Sequence, residues 1–154
     1  MLIAVVAALA LALVALALAA WPLIHTESAA PAPYTDTEIA EATTKVCAAS
    51  DLAYRGVSLQ TSQAAPDDDP AGAIAAAANA RLALAVASDN LIIAADDGKA
   101  APAGLRDAVR DLADAYRTVA SHYLAGELID SPPIKAAFDS AGAAVATIAQ
   151  TCKT

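Results

Sequence analysis

The chain has 154 residues, a formal net charge of −8 and only two cysteines. That length holds one ordinary domain with an accessory segment. Its acidic balance excludes a nucleic-acid partner, which needs a basic face to neutralise phosphates. Alanine dominates and aromatics are 4% of the chain. Alanine loses no side-chain entropy in a helix, and alternating runs of β-branched residues are scarce, so an all-α fold is expected.

The opening stretch, "MLIAVVAALALALVALALAAWPLI", carries no charged side chain. As a helix, residues 2–24 would be about 34 Å long, enough to cross a hydrocarbon core of roughly 30 Å. A secretory signal is shorter and begins with a basic residue, although Ala17-Leu18-Ala19 fits a cleavage site. Trp21 suits the membrane interface. We therefore read residues 1–24 as a transmembrane anchor, with a cleaved signal (a secreted chain, if residues 1–19 are removed) and a buried soluble helix as alternatives. The first basic side chain is Lys45. With no basic residue just after the span, that flank reads as extracytoplasmic. "HTESAAPAPYT" follows, where Pro31 and Pro33 disfavour helix, so residues 25–35 read as a semi-extended linker.

Residues 36–154 are expected to form an antiparallel four-helix bundle. Thr35-Asp36-Thr37-Glu38 has capping-box spacing. Ile39, Val46, Ala53 and Val57 follow at helical intervals, flanked by Cys47 and Tyr54, and Glu41 and Lys45 stand four apart. This helix is expected to end near Ser62. Asp69 and Pro70 open the second helix, which runs to about Ala95 and is so broadly apolar that enclosure on several sides is expected. Gly98 suits a left-handed residue just past the helix end.

In the third helix Leu105, Val109, Leu112, Tyr116, Val119 and Tyr123 form a stripe beside a face of arginine and aspartate. Ser131 is placed to cap the fourth helix, whose stripe is Ile134, Phe138, Ala141, Val145, Ile148 and Cys152. Alternating steps of four and three mark the seam of an antiparallel bundle.

In such a bundle the first and last helices run side by side in opposite directions. Cys47 near the start of one then meets Cys152 at the end of the other. A disulfide between them requires an oxidising compartment, which the apolar segment suggests independently. Closing a loop of about 100 residues is worth roughly 4–5 kcal/mol in the chain-entropy model, a large share for an alanine-built domain that buries little area per residue. Two separate reduced core cysteines are the alternative.

Lys45-Val46-Cys47-Ala48-Ala49, the closing Cys152-Lys153 and "NARLAL" over Asn79–Leu84 resemble mycobacterial-type alanine- and proline-rich single-pass membrane proteins of unknown function. The chain departs from them in lacking a basic, proline-rich cytoplasmic tail. The resemblance implies a structural bridge between the two cysteines and no activity.

Chemistry-bearing patterns are sparse. His25 and His122 are the only histidines, too few and too separated for a zinc-type cluster. Asp67-Asp68-Asp69 lacks the spaced ligands of a calcium loop and suits the N-terminus of a helix. No nucleophile elbow, phosphate loop or dinucleotide fingerprint occurs, and a thiol nucleophile would need one cysteine free. No catalytic residue, cofactor or metal is expected. Tyr116 and Tyr123 read as core residues, or as the lining of an apolar groove should the bundle open between helices. The sequence thus points to a non-catalytic, membrane-anchored module of the cell envelope. Its partners would be the membrane and an envelope protein the sequence does not identify. The alternative is a carrier of an apolar small molecule in a groove between helices.

Overall fold

A computed structural model describes residues 34–66 and 68–153. The anchor expected over residues 1–24, with Trp21, and nearly all of the linker expected over residues 25–35, with His25, lie outside the described residues, as does Asp67. Among the described residues the fold is all-helical, with four helices and no strand: α1 (Asp36–Thr61), α2 (Pro70–Asp97), α3 (Ala103–Leu124) and α4 (Pro132–Thr151).

The helix starts follow from local chemistry. At α1 the Thr35 amide donates to Glu38 Oε2 at 2.8 Å, and the Glu38 amide donates back to the Thr35 hydroxyl at 3.3 Å. This is the reciprocal capping box the sequence predicts. At α2 the Asp69 carboxylate accepts from the Gly72 amide at 2.9 Å, with Pro70 in the first turn. Ser131 stands at the start of α4, but its hydroxyl makes no capping hydrogen bond. A cap accepts from the second or third amide of the helix. Pro133 has no amide hydrogen to give, so half of that opportunity is absent.

Each helix packs on its neighbour in sequence, α1 on α2, α2 on α3 and α3 on α4, with a smaller contact of α1 across to α3. Two ion pairs fix the direction of α2 against α3. Arg110 reaches Asp96 at 2.9 Å and Arg117 reaches Asp89 at 3.3 Å. Seven residues back along α2 answer seven forward along α3, so the two helices are antiparallel. On α1, Glu41 and Lys45 form no ion pair among the described residues. The pair four apart is Asp51–Arg55, at 2.9 Å.

The core corrects two expectations. α2, the most apolar helix, is not enclosed. Only Leu84, Ala87, Ser88, Leu91 and Ala95 are buried, while Ile74, Leu82, Val86 and Ile93 face outward. α3 is the enclosed helix. Leu105, Val109, Leu112, Tyr116 and Val119 are buried as the spacing predicts, and Ala108, Ala113, Ala115 and Ala120 widen the buried surface on both flanks. The reason is position rather than hydropathy: α3 touches all three other helices, whereas α2 is covered only by α1 and α3.

In α4 the buried set is Ile134, Ala137, Ala144 and Ile148, with Ala141 and Val145 partly buried, while Phe138 is 44% exposed. The helix is turned from the expected stripe, with the small Ala137 and Ala144 on the buried side and Phe138 toward its edge.

Two glycines shape the turns. Gly98 ends α2 with φ −79°, not in the left-handed region expected of it. It is buried, and a Cβ there would collide with the Val46 side chain. The left-handed glycine is Gly126, just after α3, at φ +84°.

Candidate functional site

Cys47 and Cys152 lie at disulfide distance, with Cα atoms 5.6 Å apart and a separation of 105 positions in sequence. Cys47 sits three turns into α1 beside Val46 and Ser50, and Cys152 is the cap residue ending α4. The sequence predicts that these two sulfurs meet, and the structure brings them together. They do so although α1 and α4 do not pack side by side as the sequence led us to expect: the two helices make only slight contact. Below the sulfurs the seam opens into a hollow of about 380 Å³ floored by Leu112, with Tyr54, Asp51, Val145 and Ala149 on its walls.

A larger concavity lies elsewhere among the described residues. A groove of about 590 Å³ runs between α1 and α2. From α1 it is lined by Ala49, Leu52, Ala53, Gly56, Val57 and Gln60, and from α2 by Ala83, Val86, Ala87, Asn90, Ile93 and Ala94. None of these is charged. The floor is made of small residues and the rim of large ones: Leu52 is 64% exposed, Ile93 57% and Val86 49%. Leu59 and Leu82 extend this apolar surface. Gly56 stands in open space, where an added Cβ would meet nothing within 4 Å. At one end the surface turns polar, where Glu38, Glu41, Lys45 and Asp97 gather around Gly98.

The groove follows from sequence in a simple way. On α1 the core stripe is Val46, Ser50, Ala53 and Val57. Ala49, Leu52, Gly56 and Leu59 form a second stripe one step around the helix, also spaced three and four apart. Leu82, Val86 and Ile93 do the same on α2. Periodicity alone picks out the first stripe on α1, and on α2 the second stripe passes for general burial. The signal that could have found the groove is the absence of charge on both second stripes.

Tyr116 lies in the core and Tyr123 packs partly buried against it, as first expected of them, and neither lines this groove. Tyr116 is buried, and burial pushes its hydroxyl up to about 12, with Tyr54 nearby adding a smaller push. Partial burial raises Tyr123 as well. His122, half-buried near the end of α3, donates from Nδ1 to Glu127 Oε1 at 2.7 Å, and this bond holds the Glu127 carboxyl below the usual carboxylate range. Among the described residues, no group of three or more histidine, cysteine or acidic side chains is placed to hold a metal ion.

Two buried hydroxyls differ in their satisfaction. Ser50 donates to the Val46 carbonyl at 2.8 Å. Ser88, 1% exposed on the core face of α2, has no partner among the described residues. Comparison with known proteins gave no matching family, no matching curated protein and no matching solved structure.

Proposed function

We propose that this chain is a non-catalytic interaction or structural module of the cell envelope, held to the membrane by residues 1–24, with its helical domain outside the cytoplasm. The observation that carries the reading is the uncharged α1–α2 surface, a concave floor of alanine and glycine with exposed leucine, valine and isoleucine around it. Contiguous exposed apolar surface of this kind is the mark of a binding face. The cysteine pair at disulfide distance supports the compartment, since such pairs persist where the environment is oxidising. The resemblance to alanine- and proline-rich single-pass membrane proteins of mycobacterial type supports the same topology. Within the described residues α2 is also long and apolar enough, by length and composition, to cross a bilayer, and it packs its core face on α1 and α3.

The test is labelling of intact cells of the native host with a membrane-impermeant maleimide. The expected result is no labelling of Cys47 or Cys152 until an impermeant reductant is added, then labelling of both. Mass spectrometry of the same protein is expected to find residues 1–24 attached. Labelling of both thiols only after lysis and without reductant would place the domain in the cytoplasm and remove the reading.

One observation favours a second reading. A volume of about 590 Å³ falls within the ~300–1,000 Å³ range of small-molecule sites. In this reading the domain carries an apolar small molecule between α1 and α2. Native mass spectrometry of protein from its host would then show a bound lipophilic mass that leaves on organic extraction.

A further inference from the structure

We infer that the α1–α2 face is the contact surface of a homodimer, in which a second copy of this chain packs its own α1–α2 hairpin into the groove. The inference rests on the reading of the domain as an interaction module and names the partner.

The first argument is shape. One surface supplies both halves of the fit: a trough floored by Ala53, Gly56 and Ala87, and a rim raised by Leu52, Val86 and Ile93. An isologous interface requires this, because about a two-fold axis the same patch must serve as knob and as hole. Small residues in the trough let the second hairpin approach closely, and Gly56 leaves space that its neighbours do not fill.

The second argument is charge. Two copies of a chain with net charge −8 repel each other across most of their surface. The groove and its rim carry no charged side chain, and the acidic residues collect beyond its end, at Glu38, Glu41 and Asp97. This face is where like-charged copies can meet at least electrostatic cost.

The third argument is area. Five large apolar side chains (Leu52, Leu59, Leu82, Val86 and Ile93) stand about half or more exposed on it. With the groove floor they offer on the order of 500 Å² of apolar surface per copy, the scale of a functional patch. Adding a polar rim of Gln60, Asn79 and Asn90 brings this near the ~800 Å² per partner of a standard stable interface.

The test is sedimentation equilibrium of the purified full chain in density-matched detergent, alone and as two variants, with helical circular dichroism and melting temperature recorded for each. Gly56→Leu fills the trough from a position where a side chain meets nothing. Ile93→Lys puts a charge on the exposed rim. The expected result is a dimer at micromolar concentration, weakened at least tenfold in each variant while the helical signal is retained in both.

A wild-type chain monomeric up to ~100 µM overturns the dimer. So does a dimer equally strong in both variants, which would assemble through another surface. A monomer that binds Nile red one per chain, and loses it in Gly56→Leu, assigns the groove to a small apolar ligand and equally overturns the dimer. None of these results touches the topology read by maleimide labelling, so the two proposals fail separately.

Discussion

Gly98 closes α2 directly against the side chain of Val46 on α1, so close that a single added methyl would occupy the same space. Val46 is itself 1% exposed and has no free room to move. Gly98→Ala is therefore expected to destabilise the domain by about 1–3 kcal/mol, the usual cost of overpacking a core. Val46→Ala in the same chain removes the colliding methyls and leaves the close approach to the Ala94 carbonyl oxygen, at 2.8 Å, so the rescue is partial. The double variant is expected to be more stable than the two separate losses would give, in a denaturant-unfolding cycle.

Gly142 poses the opposite case. It lies within α4, exposed, and a Cβ there meets nothing within 4 Å. Its only effect on the fold is the flexibility it gives the unfolded chain. Gly142→Ala is expected to raise stability by about 0.5–1 kcal/mol, read as a higher denaturant midpoint at unchanged slope.

The two buried serines are expected to respond with opposite signs. Ser88→Ala removes a hydroxyl that is buried without a partner, and a gain of about 1 kcal/mol is expected. Ser50→Ala deletes a hydroxyl bonded to Val46, and a loss of about 1 kcal/mol is expected. Thermal unfolding of the two single variants measures both. A loss at Ser88 would contradict this account.

The pH dependence has two edges. The Thr35 backbone amide, bonded to Glu38, holds that carboxyl below the usual range, and His122 does the same for Glu127. A lowered folded value contributes stability above the unfolded carboxylate pKa, about 4.3, and loses it as pH falls through the folded value. The melting temperature is expected to drop below about pH 4, and less steeply in a Glu38→Gln, Glu127→Gln double variant.

At the alkaline edge Tyr116 is pushed up to about 12 by burial, while an unfolded tyrosine ionises near 10. The unfolded chain gives up that proton first, so stability is intact below about pH 10 and falls between about 10 and 12, by up to about 2–3 kcal/mol. Tyr116→Phe is expected to flatten this decline, followed by tyrosinate absorbance alongside unfolding.

Replacing both Cys47 and Cys152 by alanine is expected to cost roughly 4–5 kcal/mol, the chain-entropy value for a loop of this length. Hydrogen exchange should then quicken most in α1, because α4 has little other hold on it, and least in α3.

What sequence could show here was local or pairwise. The capping box at Thr35 and Glu38, the Asp69 cap and the α3 stripe from Leu105 to Val119 depend on spacing within one helix, and each appears as read. Cys47 and Cys152 do meet, although the side-by-side packing of α1 and α4 from which the sequence predicts it does not occur. Rotation and coverage were not legible. Phe138 looks like a core residue until Ala137 and Ala144 take the buried side, a choice made by two helices together. α2 looks enclosed because hydropathy does not say how many neighbours a helix has. The groove is hidden for the same reason: Leu52 and Val86 are ordinary apolar residues until α1 and α2 are laid side by side with nothing over them.

The sulfur pair also imposes an order of events on a newly made chain. α1 is synthesised first among the described helices, yet the atom that secures its free side lies in the final cap of α4. With only slight contact between α1 and α4, α1 keeps one flank unsecured until the last turn of α4 has been made. A ribosome pausing between those two points leaves a lone reactive thiol on a half-built hairpin. Joining the two sulfurs therefore has to wait until α4 is complete, 105 positions after Cys47.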